Sequence, residues 1–212
     1  DRMELLNRID KILFNSKWSQ KRFFIDIDNE KLLKQKTSVC YQSTNSVQID
    51  FTKKKKLISF VGKLNSAKGY DLFGDAILRI LDKYNDWRAI VIGDEPREKI
   101  NFKHENLSVH GYVEHKKILD KLKFVSISVV SSRWEEPFGR TSLEASANGC
   151  AVIITNKGGL PETVTNAKIL KKLDSKNLEK NLQFLIKNPK KRKKLQKLSI
   201  KNFYLTHEFI TK

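Results

Sequence analysis

Cysteine is scarce in this chain of 212 residues: Cys40 and Cys150 are the only two, and they stand far apart without a metal-like pairing. That excludes the disulfide framework of a small secreted domain and fits a reducing compartment with both thiols buried. The four histidines, at 104, 110, 115 and 207, show no ligand spacing with them, so no metal site is expected. No segment resembles a signal peptide, and no apolar run reaches the roughly 18 residues of a membrane span. The expectation is a soluble, cytoplasmic chain.

Acidic residues are also few. Asp plus Glu number 24 against 42 Lys plus Arg, a formal net charge of +18. Such an excess attracts nucleic acid, an anionic membrane or anionic small molecules. The basic residues are scattered, with clusters at residues 53–56 and 190–194, and these read as solvated faces. No aromatic residues interleave with the basic runs, and neither zinc-finger spacing nor an RNA-binding aromatic motif occurs. Nucleic acid is therefore not an expected partner, while peripheral contact with the inner face of a membrane stays open.

What is present argues for a packed core: 39% hydrophobic residues, twelve Phe and three Trp exclude a disordered chain. The length allows one large domain, or one domain plus part of another. No internal repeat is visible. From residue 57 onward, short apolar runs alternate with amphipathic stretches. LISFVG (57–62), WRAIVIG (87–93), NLSVHG (106–111), VSISVV (125–130) and CAVIIT (150–155) read as strands. Between them, Leu72, Phe73, Ala76, Ile77, Ile80 and Leu81 recur at helical spacing, EHKKILDKLKF reads as a helix, and residues 138–148 form another that ends at Gly149. Asp174 or Ser175 can cap a helix through Leu178, Leu182 and Leu185, and Pro189 can open a last one. Alternating strands and helices with continuous Val/Ile content predict an α/β fold, a Rossmann-like parallel sheet with helices on both faces.

Residues 1–50 look separate. DKILFNS reads as a strand, Ser16 as the N-cap of KWSQKRFF, TSVCYQ as another strand, and STNSVQIDFTKKKK as a linker. About fifty residues are too few for an independent domain of this type, so they read as the end of a larger N-terminal domain, with residues 51–212 as the second domain.

In a doubly wound sheet, ligands bind beyond the C-terminal strand ends. The loop after the first long strand, GKLNSAKG, carries Gly62, Lys63, Lys68 and Gly69; it is neither a P-loop nor GxGxxG. Its lysines suit a diphosphate, or are exposed loop charges. After VSISVV comes SSRWEEPFGRTSLEASANG. Pro137 fixes the backbone, Gly139 permits close approach of a ligand, and the free amides of residues 138–141 with the Thr141 hydroxyl can hold a phosphate. Glu136 lies before this helix and Glu144 about two turns along. Carboxylates beside a phosphate site are unfavourable unless they accept from hydroxyls, so two of them around a phosphate cradle point to a nucleotide-sugar. Among the neighbours, Arg133 and Arg140 either contact phosphate, pair with Glu135 or face solvent. Trp134 is expected to pack beside the helix rather than stack on a ligand, Glu162 to cap or buttress the glycine turn, and His115 to be simply exposed.

The pieces FVGKLNSAKGYD, IVIGDEP, VHGYV, EEPFGRTSLEASANGCAVIIT and GGLPETV, in this order and with the Glu-x7-Glu spacing of Glu136 and Glu144, resemble the C-terminal domain of retaining glycosyltransferases of family four, which have the GT-B fold. The match runs over residues 57–164, and ILFNS with SVCYQ resembles the end of that family's N-terminal domain. The resemblance implies that Glu136 holds the donor sugar's hydroxyls, that Gly62, Phe138 and Gly139 line the sugar and phosphate, and that Glu144 holds the ribose. Lys68 matches the lysine on the diphosphate, and Lys63 stands where the family commonly has arginine, which keeps the charge but loses the bidentate fork. Thr141 matches a phosphate contact, with Arg140 beside it, and residues 110–113 fall near the base pocket.

The implied activity is transfer of sugar from a UDP-, GDP- or ADP-sugar to a polysaccharide or lipid-linked acceptor with retention, needing no cofactor and no metal. Two alternatives remain. One is a noncatalytic nucleotide-binding module whose basic surface docks on a membrane or another polyanion. The other is a nucleotide-sugar epimerase of the same fold, against which the family-four pattern argues.

Overall fold

The computed structural model describes residues 2–25, 27, 34–45 and 47–211; positions 1, 26, 28–33 and 46 of the expected N-terminal segment lie outside the described residues. Helix α1 (Arg2–Asn7) leads to β1 (Ile12–Phe14). Ser16 then caps α2 (Lys17–Phe23), its hydroxyl accepting from the Ser19 amide, which satisfies one of the otherwise unpaired first-turn donors. β2 (Thr37–Val39) pairs in parallel with β1 as a two-stranded sheet. The stretch expected as linker holds a single 3-10 turn, Phe51–Lys53, capped by Asp50.

The main sheet follows. β3 (Leu57–Val61), α3 (Tyr70–Lys83), β4 (Arg88–Ile92), β5 (Leu107–His110), α4 (His115–Leu122), β6 (Ile127–Val130), α5 (Arg140–Ala147), β7 (Ala151–Ile154) and β8 (Ala167–Ile169) alternate along the chain, and α6 (Ser175–Lys187), α7 (Pro189–Lys201) and α8 (His207–Ile210) close it. All six strands are parallel, in the order β5-β4-β3-β6-β7-β8. Period-2 alternation sorts their side chains onto two faces. Ile58, Phe60, Val91, Ile127, Val129 and Ile153 meet α3 and α6, while Leu57, Ile90, Val130, Val152 and Ile154 meet α4 and α5. A sheet buried on both sides favours apolar residues on both faces, which is why its central strands read as near-continuous Val/Ile runs, the buried Ser59 and Ser128 being bonded to each other.

Four details differ from the sequence reading. β8 is a three-residue strand with no alternation long enough to signal it. Helix α5 starts at Arg140 rather than residue 138, because Gly139 holds φ +111° and Phe138 turns into a core with Leu143 and Leu205. Cys40 is exposed, and only Cys150 is buried. The two basic clusters are not wholly solvated. The Lys54 ammonium is buried, donating to the carbonyls of Leu122, Val125 and Asn148, and Arg192 stacks over Trp87 while donating to the carbonyls of Leu185 and Ile186 at the end of α6. Both cations terminate helices that would otherwise leave carbonyls unpaired. Among the described residues, no helix is long and apolar enough to cross a membrane.

Candidate donor-binding site

Strand order reverses between β3 and β6, whose connections lead to opposite sides of the sheet, and the loops beyond those two strands part to leave a cleft. It measures about 140 Å³ and is lined by Gly62, Lys68, Ser132, Glu136, Gly139, Arg140 and Thr141, with Phe60, Val61, Val130 and Leu160 as its apolar floor. Six of the nine residues picked out from sequence thus meet in one place, although Gly62, just after β3, and Thr141, in the first turn of α5, are far apart in the chain.

At its centre, Lys68 Nζ lies 2.5 Å from Glu136 Oε1, and the Ser132 hydroxyl donates to the same oxygen at 2.8 Å. The Glu136 side chain is only 12% exposed, so this carboxylate has partners that compensate its lost hydration. The loop that presents Lys68 is itself tied down. Asn65 Oδ1 accepts from the Lys68 amide at 2.9 Å, and Asn65 Nδ2 donates to Glu95 Oε2 at 3.2 Å. Arg97 grips Glu95 with Nε and Nη2, at 2.7 and 2.9 Å, which holds the Glu95 carboxyl down at a pKa of about 2. Glu98 accepts from the Ser66 amide at 2.9 Å. Gly69 closes the loop at φ +68°, where an added Cβ would sit 2.0 Å from the Ser131 carbonyl oxygen, so only glycine fits.

The helix that bounds the other side begins at Gly139 without a side-chain cap, so the first-turn amides of α5 keep their donors for an anion. One turn in, nearer than the two turns expected, Glu144 is buried with its side chain 8% exposed. Its Oε1 accepts from Arg140 Nη2 at 3.1 Å and from His115 Nε2 at 2.8 Å. Lys63 is exposed beside Gly62 and does not line the cleft. Phe138 is buried with its ring 5.9 Å from that of Tyr41, so only its backbone faces the loop. Over the ends of β3, β4 and β5 a wider hollow of about 390 Å³ is lined by Leu64, Gly93, Asp94, Pro96, Val109 and Gly111, among others, and this is where residues 110–113 begin.

The neighbouring polar residues find specific partners. Arg133 neither faces solvent nor pairs with Glu135: it forms a fork on Asp71, at 2.5 and 2.6 Å, and donates to the Ser66 carbonyl. Partial burial pushes the Asp71 pKa up, but the Arg133 hydrogen bonds and charge outweigh it and the net shift is downward. Arg140 pairs with Glu144 instead of Glu135, which takes Lys157 and the Gly158 amide. Trp134 does not pack beside the helix; it is 60% exposed. Glu162 accepts from the amides of Lys17 and Trp18, each at 2.8 Å, and from the Tyr41 hydroxyl, so it caps α2 rather than buttressing the glycine turn. Ser16 and Ser19 donate to the Pro137 carbonyl, which brings the start of α2 against the loop that carries Glu136. Ser132, Asn65 and His115 were not selected from sequence. Serine four positions before a glutamate carries no signal of its own, and the other two are placed only by packing.

Residues 42–202 match the family described as Glycosyl transferases group 1. Spore coat protein SA of Bacillus subtilis is 28% identical over 162 residues, covering 68% of this chain and 43% of that protein. The lipopolysaccharide core biosynthesis mannosyltransferase LpsB of Rhizobium meliloti is 34% identical over 121 residues, covering 52% of this chain and 34% of its own length. The chain thus spans less than half of either relative. Among solved structures, a glycosyltransferase from Rickettsia africae superposes with a TM-score of 0.78 at 18% identity, over 98% of this chain and 63% of that one. Anabaena HepE in complex with UDP-glucose superposes at 0.75 and 18%, over 94% and 62%. The C-terminal domain of a glycosyl transferase group 1 family protein (LpcC) from Francisella tularensis superposes at 0.61 and 27%, over 76% and 92%. The six-stranded parallel sheet flanked by helices is that of GT-B glycosyltransferases, and the chain belongs to the group 1 glycosyl transferases.

Proposed function

We propose that residues 51–212 are the donor-binding domain of a retaining glycosyltransferase, and residues 1–50 the end of its acceptor domain. The observation that carries this reading is the convergence of Lys68, Glu136 and the uncapped start of α5 on one cleft at the switch point of the sheet. A lysine ammonium has three donors, so Lys68 can keep Glu136 and still reach diphosphate oxygens. As the bond from the anomeric carbon to the diphosphate breaks, negative charge grows on the departing oxygen. Lys68 and the helix N-terminus stabilise that charge more than the ground state, which lowers the barrier. Glu136 accepts from the sugar hydroxyls and Glu144 from the ribose. UDP is the first nucleotide to try, because the structural neighbour HepE binds UDP-glucose and UDP.

The acceptor, a glycan or a lipid-linked glycan, meets the missing part of the first domain, so the chain alone binds donor and transfers little sugar. Calorimetric titration with UDP, GDP and ADP tests this. One of them binds in the micromolar to millimolar range, and Lys68→Ala and Glu144→Ala each weaken it by about tenfold, the loss of one charge-assisted contact. If a folded chain binds none of the three, the donor-site reading fails.

A second reading concerns the basic surface. Exposed Lys190, Lys191, Lys193, Lys194, Lys197 and Lys201 share α7, which has no acid, and buried Gln196 anchors that helix to the Ser126 carbonyl, at the end of the sheet opposite the cleft. Docking of this face on anionic lipid would leave the donor cleft open. Charge reversal of residues 190, 191, 193 and 194 should abolish sedimentation with phosphatidylglycerol vesicles and spare nucleotide affinity; unchanged sedimentation removes this reading.

A further inference from the structure

His115 is the first residue of α4 and stands 29 positions before Glu144, yet its Nε2 lies 2.8 Å from Glu144 Oε1. Arg140 Nη2 and Nε approach the same oxygen at 3.1 and 3.3 Å. Two helices from different βα units therefore converge on one carboxylate oxygen, and none of these three bonds uses Oε2. A carboxylate can only accept, so the contact requires the imidazole to carry its proton on Nε2. The pairing gives little to the fold: His115 is 54% exposed, and a polar contact so open to water adds little to stability. It does remove freedom from a glutamate that would otherwise sample several rotamers, and ordering a side chain beforehand spares a ligand that cost.

We propose that His115 is a positioning residue of the donor site: it holds Glu144 through Oε1 so that Oε2 accepts from a ribose hydroxyl. This rests on the reading of Glu144 as the ribose acid. It also joins the two halves of nucleoside recognition, since His115 follows directly on the loop of residues 111–114 that leaves β5 beside the wider hollow.

The test titrates UDP, GDP and ADP, each against its 2′-deoxy counterpart, into the wild type, His115→Ala, His115→Gln, Glu144→Ala and the His115→Ala/Glu144→Ala double variant. For the nucleotide that binds, His115→Ala should weaken the ribonucleotide by about three- to tenfold, the size of one ordinary net hydrogen bond, and should reduce the preference over the deoxy form. His115→Gln, whose amide can donate in the same place, should recover most of the affinity. The double variant should be no weaker than Glu144→Ala, and the melting temperatures of the His115 variants should match the wild type. If the two single losses multiply in the double variant, or if the deoxy form loses as much as the ribonucleotide in His115→Ala, the inference is overturned. Loss with Glu144→Ala but none with His115→Ala overturns the inference and leaves the donor-site reading standing. No effect of Glu144→Ala, or no binding by the wild type, overturns both.

Discussion

Lys68 and Glu136 are joined at 2.5 Å inside the cleft, the cation suited to a diphosphate holding the acid suited to a sugar. They come from loops 68 positions apart, after β3 and after β6, and each limits what the other can do. Glu136 offsets the lysine's charge toward an anion, and Lys68 compensates the hydration that Glu136 loses in a site where water is scarce.

That coupling gives opposite expectations for two neighbouring substitutions. Lys68→Ala should weaken UDP by about tenfold and flatten the dependence of binding on ionic strength, because the main point charge facing the diphosphate is gone. Glu136→Gln should bind UDP at least as tightly as the wild type, since the repulsive carboxylate is removed while the side chain keeps its shape, yet bind UDP-sugar less well. Titrations at two salt concentrations check both. Weaker UDP binding by Glu136→Gln would contradict the assignment of Glu136 to the sugar.

Acid should loosen the loop that presents Lys68. The Arg97 fork holds Glu95 at a pKa of about 2 against an ordinary value of 4.5, so the pair contributes stability that is fully present above about pH 4.5 and is lost as pH falls toward 2. Glu95 bonds Asn65, and Asn65 bonds the Lys68 amide, so the loss reaches the cleft. In urea titrations between pH 2 and 7, the difference between wild type and Arg97→Ala should shrink through that window and be smaller at high salt, Arg97 being largely exposed. A difference that does not change with pH would place the Glu95 pKa near its ordinary value.

The sheet and its helices were legible because burial on both faces leaves a strong trace: Phe73, Ala76, Ile77, Ile80 and Leu81 recur every three or four residues and are all fully buried on α3. The cluster at the start of α5 was legible for a different reason. Glu136, Gly139, Arg140 and Thr141 lie within six residues, so local geometry alone brings them together. What escaped is set by contacts between distant segments. Nothing local joins His115 to Glu144 or Asn65 to Glu95, and a lysine in a run of four reads as solvated until the fold shows Lys54 placed over three carbonyls. Glycine positions were read as ligand access, but at Gly139 φ is +111° and an added Cβ would sit 2.4 Å from Leu160 Cδ2. At Gly69 the reason is the Ser131 carbonyl packed against its α-carbon.

Glu162 should control the attachment of the N-terminal segment. It is the acceptor for two first-turn amides of α2 and for the Tyr41 hydroxyl, whose pKa is raised by burial and then by this carboxylate. Glu162→Ala removes an N-terminal anion from the helix and leaves those donors to water, a change of about 1 kcal/mol or more. Hydrogen exchange should accelerate at Lys17 and Trp18 while β3 and β6 stay protected. Acceleration throughout the main sheet would mean that Glu162 supports the whole fold instead of one contact.

Lys54 supplies the strongest stability prediction. Its ammonium donates to Leu122 O at 3.1 Å, Val125 O at 2.8 Å and Asn148 O at 2.6 Å, so it closes the ends of α4 and α5 together at the base of the sheet. Lys54→Met fills the space without a donor and leaves the shielded carbonyls of Val125 and Asn148 unpaired, while Leu122 O keeps the Val125 amide, which should cost roughly 2–4 kcal/mol. The pH dependence has a definite sign. Burial lowers the Lys54 pKa below 10.5, so between the folded value and 10.5 the unfolded chain binds more protons, and the Lys54 contribution to stability rises with pH across that window. Cys150, whose thiol burial pushes up and the Lys54 ammonium beside it pulls back down, is pushed up further once Lys54 is replaced, so its opposite slope is steeper in Lys54→Met and widens the gap in the same direction. Urea titrations of wild type and Lys54→Met from pH 7 to 10.5 should therefore show a gap that widens toward the alkaline end. A gap that closes would mean that the charge on Lys54 is worth more than its hydration, and that the three carbonyls bind the ammonium more tightly than burial opposes it.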